Sequence, residues 1–163
     1  MALYLDLNQL FSGELTEIRF DLSVPVDYQE LDIRLCSDAR FFGDVTDNSG
    51  YIEMKATIEL DYEASCSRCL AAVRDKLVVP ISVPIAAHLQ NEDTDDYIIP
   101  EAGQIDVTDF VYQNVVTAFP HKFLCREDCK GLCPRCGKNL NDGDCGCKPE
   151  VDPRLAGLAD FFK

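Results

Sequence analysis

The cysteine pattern restricts this chain more than any other feature. Of nine cysteines, eight fall in close pairs: Cys66 with Cys69, Cys125 with Cys129, Cys133 with Cys136, and Cys145 with Cys147. A two-residue spacer lets a tight turn aim both sulfurs at one ion, and zinc takes four tetrahedral ligands, a shell that four thiolates close completely. Eight paired cysteines therefore predict about two zinc ions. Disulfides are the competing use of such pairs. The N-terminus, Met1-Ala2-Leu3-Tyr4-Leu5-Asp6, has no basic region, long apolar segment or cleavage site. The expected compartment is thus the reducing cytoplasm, where clustered pairs mean metal. Cys36 stands alone at a strand end and is expected to be a buried small hydrophobe.

Within Cys133-Pro134-Arg135-Cys136-Gly137-Lys138, the proline fixes the entry to the turn and Gly137 permits the exit. The following Leu140-Asn141-Asp142-Gly143-Asp144 predicts a hairpin turn that returns Cys145 and Cys147 towards the first pair. A single residue separates Cys145 from Cys147, which departs from the usual second knuckle. The other set joins Cys66 and Cys69 to Cys125 and Cys129, tying distant parts of the chain together. Spacing alone admits other divisions of these cysteines. This one keeps neighbouring pairs together.

The chain as a whole reads as α+β. An antiparallel β-rich body with one long helix is expected over residues 1–120, and a C-terminal cysteine-rich zinc module with a short terminal helix over 121–163. From Tyr51 to Leu60, Ile52, Met54, Ala56, Ile58 and Leu60 alternate with Glu53, Lys55, Thr57 and Glu59. That period of two marks a strand with one buried face. Asp47-Asn48-Ser49-Gly50 is a turn cluster, so the segment from Phe41 to Val45 pairs with this strand as a hairpin. Further strands are expected around Leu15, Ile18, Phe20 and Leu22, at Leu31 to Leu35, and from Val73 to Val83. Pro80 and Pro84 lack ladder donors and indicate an edge or a strand end. Asn91 to Asp96 is an acidic loop. A helix near 106–118 is capped by Asp106, with Val107, Phe110, Val111, Asn114, Val115 and Ala118 on its apolar face. Asp152-Pro153 opens the terminal helix.

The net charge of −14 is unevenly placed: residues 1–120 hold 7 Lys and Arg against 22 Asp and Glu, and residues 121–163 hold 8 against 7. The acidic body repels phosphate backbones and suits a basic protein partner. Direct RNA contact would have to use the near-neutral C-terminal part, through Lys122, Arg126, Lys130, Arg135 and Lys138. No apolar run reaches the ~18 residues of a membrane span. Catalysis is not expected. His88 and His121 lack a partnered nucleophile, no P-loop or dinucleotide-binding glycine pattern is present, and a zinc shell closed by cysteine leaves no position for an activated water. A thiol-redox or metal-sensing role is the alternative, and it requires labile cysteines.

Three segments carry a family resemblance: Cys66-Ser67-Arg68-Cys69-Leu70, the run CREDCKGLCPRCGKNLNDGDCGC from Cys125 to Cys147, and Asp152-Pro153-Arg154-Leu155. With these the chain resembles the YceD family of large ribosomal RNA subunit accumulation proteins. The resemblance implies a role in 23S ribosomal RNA accumulation and in biogenesis of the large ribosomal subunit.

Overall fold

The computed structural model describes residues 2–28, 33–86 and 97–147. In chain order it contains β1 (Tyr4–Asp6), α1 (Asn8–Phe11), β2 (Glu17–Val24), β3 (Arg34–Leu35), β4 (Ala39–Asn48), β5 (Tyr51–Ser65), β6 (Ala72–Ile85), β7 (Gln104–Asp106) and α2 (Val107–Ala118). The expected acidic loop at Asn91–Asp96, His88 and the terminal helix from Asp152 lie outside the described residues. Of the strand expected at Leu31 to Leu35, Arg34–Leu35 forms β3.

β5 organises the sheet. On one side it pairs antiparallel with β4 and then β3; on the other it pairs with β6 from Ile52↔Ile85 to Ser65↔Ala72. β2 extends the sheet beyond β4. The hairpin between β4 and β5 closes through Ser49 (φ 58°) and Gly50 (φ 94°), the two positive φ values that a tight two-residue turn needs to match strand twist. Among the described residues β6 has β5 as its only strand partner along most of its length, the position where Pro80 and Pro84 cost no interior ladder bond.

The period of two seen in the sequence becomes a one-sided sheet. Ile52, Met54, Ala56, Ile58, Leu60, Tyr62 and Ala64 of β5 are all buried in one core with Phe41, Val45, Leu7 and Leu10. α2 covers that face with Val107, Val111 and Val115, each fully buried. Its N-terminus is held as the sequence indicates, with the Asp106 carboxylate accepting from Asp109 N–H at 3.1 Å. Asn114, the polar interruption of the apolar face, donates its amide to the Phe110 carbonyl at 2.8 Å and so enters the interface satisfied. β1 and β7 form a separate short ribbon that tethers this helix, with Val107 N–H donating to the Leu3 carbonyl. This ribbon has no counterpart among the strands expected from the sequence, although Leu3, Leu5 and Leu7 alternate in the same manner.

The opposite face of the sheet is charged. Register aligns Arg19, Arg34, Arg40, Lys55, Arg74 and Lys76 with the outward, odd-numbered positions of β5. Five of them pair there with carboxylates: Arg19 with Glu17, Arg40 with Asp21, Lys55 with Glu53, Arg74 with Glu63 and Lys76 with Glu59. Six of the seven Lys and Arg residues of 1–120 are thereby placed on this face.

One expectation is corrected. Cys36 is exposed rather than buried. Its backbone N–H donates to the Asp61 carbonyl at 2.8 Å, which continues the β3–β5 pairing past Leu35 while its thiol stays on the solvent side.

Candidate metal centres

The buried stripe of β5 does not stop at the end of the strand. Cys66 is the next residue in the alternation after Ala64, and it is fully buried. The chain turns directly after it: Leu70 N–H donates to the Cys66 carbonyl at 2.9 Å and Cys66 N–H donates to the Ala71 carbonyl at 2.8 Å. This turn returns Cys69 beside Cys66 and requires Leu70 to adopt φ 61°. Cysteines 66 and 69 thus occupy the connection between two long paired strands, a rigid support.

The segment after α2 is pinned to that connection. Ser67 N–H donates to the Phe123 carbonyl at 2.7 Å, and Phe123 N–H donates back to Ser67 Oγ at 3.2 Å. The Phe123 ring packs edge-on against Tyr62, with centroids 5.5 Å apart. The Arg68 guanidinium donates to the carbonyls of Cys129 at 2.8 Å and Glu127 at 3.2 Å, and its own carbonyl accepts from Leu132 N–H. Gly131 (φ 76°) is buried against this carbonyl, and a Cβ there would lie 3.0 Å from it. These contacts bring Cys125 and Cys129 over Cys66 and Cys69.

The four ligand atoms of Cys66, Cys69, Cys125 and Cys129 all lie within 4.8 Å of one another, and the set can hold a metal ion. Cys66 Sγ is 3.9 Å from Cys129 Sγ, and Cys69 Sγ is 3.6 Å from Cys125 Sγ. Sulfurs placed tetrahedrally at a metal–sulfur bond of ~2.3 Å are about 3.8 Å apart, whereas a disulfide bond is ~2.05 Å. The spacing is that of a shared ion, and all four thiols are free.

Cys133, Cys136, Cys145 and Cys147 form a second set, again with all ligand atoms within 4.8 Å of one another and able to hold a metal ion. Gly137 (φ 72°) N–H donates to the Cys133 carbonyl at 2.9 Å, and Cys133 N–H donates to the Lys138 carbonyl at 2.8 Å. The one-residue spacer works because Gly146 takes φ 71°, which turns the sulfurs on either side of it towards the same point. The return segment differs from the expected hairpin turn. Leu140–Asp142 is a short 3₁₀ turn, because the Asn139 side chain accepts from Asn141 N–H at 3.0 Å and starts a helical turn.

Sulfurs this close cannot all ionise without a cation. Backbone N–H groups of Cys125 and Arg68 point at Cys66 and hold its thiol down at about 6. Hydrogen bonding with Cys69, assisted by burial, pushes Cys125 up to about 12. The second set repeats the arrangement: backbone N–H groups of Cys136 and Arg135 hold Cys133 at about 6, and hydrogen bonding with Cys136 pushes Cys147 up to about 12. Each centre thus contains a sulfur prepared as a thiolate and a sulfur retaining its proton, which a divalent cation would displace.

The structure also gives site roles to residues that the sequence offered only as parts of motifs: Ser67, Arg68, Gly131 and Asn141. Asn141 Nδ2 donates to Cys129 Sγ at 3.3 Å, and this bond lowers the Cys129 thiol. Asn in a turn was the available signal, since its side chain readily bonds nearby backbone. Which sulfur it would meet depends on long-range packing.

Among the described residues, no helix is long and apolar enough to cross a membrane. The chain is 30% identical over 154 residues to the uncharacterized protein YlbN of Bacillus subtilis, covering 88% of each. It is 29% identical over 110 residues to an uncharacterized protein of Mycobacterium tuberculosis, and there it spans about half of the relative's length. Over 77 residues it is 35% identical to the chloroplastic large ribosomal RNA subunit accumulation protein YCED homolog 1 of Zea mays, covering 45% of this chain and 26% of that one. No solved structure matches. The family model for the large ribosomal RNA subunit accumulation protein YceD matches residues 54–162, from near the start of β5 through both cysteine centres, and the chain belongs to the YceD family.

Proposed function

We propose that this protein is a non-catalytic cytoplasmic factor that supports 23S ribosomal RNA accumulation and large-subunit biogenesis by binding a basic ribosomal protein. In this reading the cysteine-rich segment of 121–163 is a zinc module on the β-rich body of 1–120. The observation that carries the reading is the pair of closed four-sulfur centres in a chain of this family. Four thiolates without carboxylate or water form the donor set of structural zinc, which supports a fold and offers no open position for chemistry.

Charge favours a protein partner over RNA. Two zinc ions, each held by four thiolates, would take the chain from −14 to about −18. Five basic residues of the sheet face are matched to carboxylates, and among the described residues the two clefts flanking the start of α2 are lined by no Lys or Arg. Glu101, Asp106 and Asp109 line one, and Asp27, Asp106 and Asp109 the other, with Tyr4 and Tyr112 alongside. Carboxylates beside exposed aromatic rings suit lysine and arginine side chains. Direct RNA contact is less favoured. Arg126 is engaged with Asn141 and Asp128, and Lys138 with the Asp144 carbonyl, so two of its candidate contacts hold loops instead.

The test is affinity purification from growing cells with and without ribonuclease, followed by binding of the purified chain to isolated basic ribosomal proteins and to 23S RNA fragments. A ribonuclease-resistant ribosomal protein partner, weakened by Glu101→Lys and Asp27→Lys, is the expected result. Tight binding to RNA alone, weakened at Lys130 and Arg135, would replace this reading with the direct RNA one.

A further inference from the structure

The two cysteine centres are joined by one side chain. Asn141 belongs to the loop of the second centre, between Cys136 and Cys145, yet its Nδ2 donates to Cys129 Sγ of the first centre at 3.3 Å. Its orientation is set by the rest of the network. Asn141 Oδ1 accepts from Lys130 N–H at 2.9 Å and from the Arg126 guanidinium at 2.7 Å, so the amide nitrogen must face the sulfur. Asn139 Oδ1 accepts from both the backbone and the side-chain nitrogen of Asn141, at 3.0 and 2.8 Å, and fixes the 3₁₀ turn that carries it. Leu140 N–H then donates to the Gly131 carbonyl at 2.9 Å, which zips this turn onto the short linker between the centres.

We infer that the two centres load metal cooperatively, with Asn141 as the positioning residue that couples them. The inference rests on the reading that both centres hold metal. Closing the second centre joins both ends of the loop that contains Asn141 and holds its N–H against Cys129. That hydrogen bond stabilises the charged sulfur as a ligand and orients it, as partners outside the ligand shell do in metal sites. With the second centre open, the loop is free at one end and the N–H is no longer delivered. Coupling in binding free energy is reciprocal, so filling the first centre favours the second by the same factor. The three-residue linker from Lys130 to Leu132 adds to the effect, because Lys130 N–H is held by the same side chain.

The experiment titrates Co²⁺ into the metal-free, reduced full chain and reads each centre by its own absorption band. A Cys147→His substitution gives the second centre three sulfurs and one nitrogen, which separates its Co²⁺ spectrum from that of the all-sulfur first centre. First-centre affinity is then compared with the Cys145→Ser/Cys147→Ser chain, each with Asn141 or with Asn141→Ala. Opening the second centre is expected to weaken the first about tenfold when Asn141 is present, and to have little further effect in the Asn141→Ala chain. Such a cycle isolates the coupling from the separate effect of each change. Asn141→Asp guards against a misfolded loop, since it keeps the acceptor for Lys130 and Arg126 while placing a carboxylate oxygen against Cys129. It is expected to weaken the first centre more than Asn141→Ala does. The inference is overturned by equal losses on opening the second centre with either residue at 141, or by an Asn141→Asp chain that binds as tightly as the parent. Co²⁺ binding at neither centre would instead overturn the metal reading itself.

Discussion

Cys66 and Cys129 stand 63 positions apart in the chain, and their sulfurs lie 3.9 Å apart. The first directly follows β5 and the second follows the long helix, so the contact spans β6, β7 and α2. Their centre is also the more enclosed one: Cys66, Cys69 and Cys129 are buried and Cys125 is exposed, whereas in the second centre Cys133 alone is buried.

Removing the first centre should therefore destabilise the fold more than removing the second. Cys66→Ser/Cys69→Ser is expected to cost on the order of 5 kcal/mol or more, because a structural ion contributes directly to folding and this one closes a long loop. Cys145→Ser/Cys147→Ser opens a local loop and is expected to cost distinctly less. Thermal unfolding of the metal-loaded variants makes the comparison. Equal losses, or a larger loss from the second pair, would refute it.

Metal affinity should fall as the solution is acidified. Cys125 and Cys147, pushed up to about 12, hold protons at neutral pH that an ion must displace. Cys66 and Cys133, held at about 6, are already ionised above that value and compete with metal only below it. Between pH 6 and 9 the apparent affinity should rise roughly tenfold per pH unit for each proton displaced, with a steeper loss below pH 6. Chelator competition at a series of pH values measures the slope, and a flat profile would contradict the proton assignment.

Phe123 connects the core to the first centre through its ring contact with Tyr62 and its paired backbone bonds to Ser67. Phe123→Ala should cost about 3–4 kcal/mol through lost burial and the cavity left behind, lowering the thermal midpoint by roughly 10 °C. It should also weaken Co²⁺ binding at the first centre more than at the second. A stability loss with both affinities unchanged would show that the pinning of Phe123 is unrelated to the site.

Leu70 is 67% exposed and held at φ 61°. The left-handed conformation costs a non-glycine residue about 1–2 kcal/mol, and glycine brings back roughly 0.5–1 kcal/mol as unfolded-chain entropy. Leu70→Gly should thus raise the thermal midpoint by about 2 °C, and Leu70→Val, branched at Cβ, should lower it. A lower midpoint for the glycine variant would mean that the exposed leucine makes a stabilising contact.

Much of this protein follows from short-range chemistry that can be read along the chain. The alternation from Ile52 to Leu60, the Ser49-Gly50 turn and the Asp106 cap are local preferences, and all appear in the structure where the sequence placed them. The close pairing of cysteines is equally local, because two sulfurs separated by one tight turn already converge. The association of pairs into sets is not. Cys66 and Cys69 meet Cys125 and Cys129 because β5 ends beneath the segment that α2 delivers, an outcome of sheet register and helix packing together. The exposure of Cys36 has the same origin: a residue just past a strand faces core or solvent according to the register of its partner, here set by Asp61. Asn141 is the clearest case. Its turn-forming chemistry is visible in the sequence, but its bond to Cys129 exists only because a folded loop returns it across the linker.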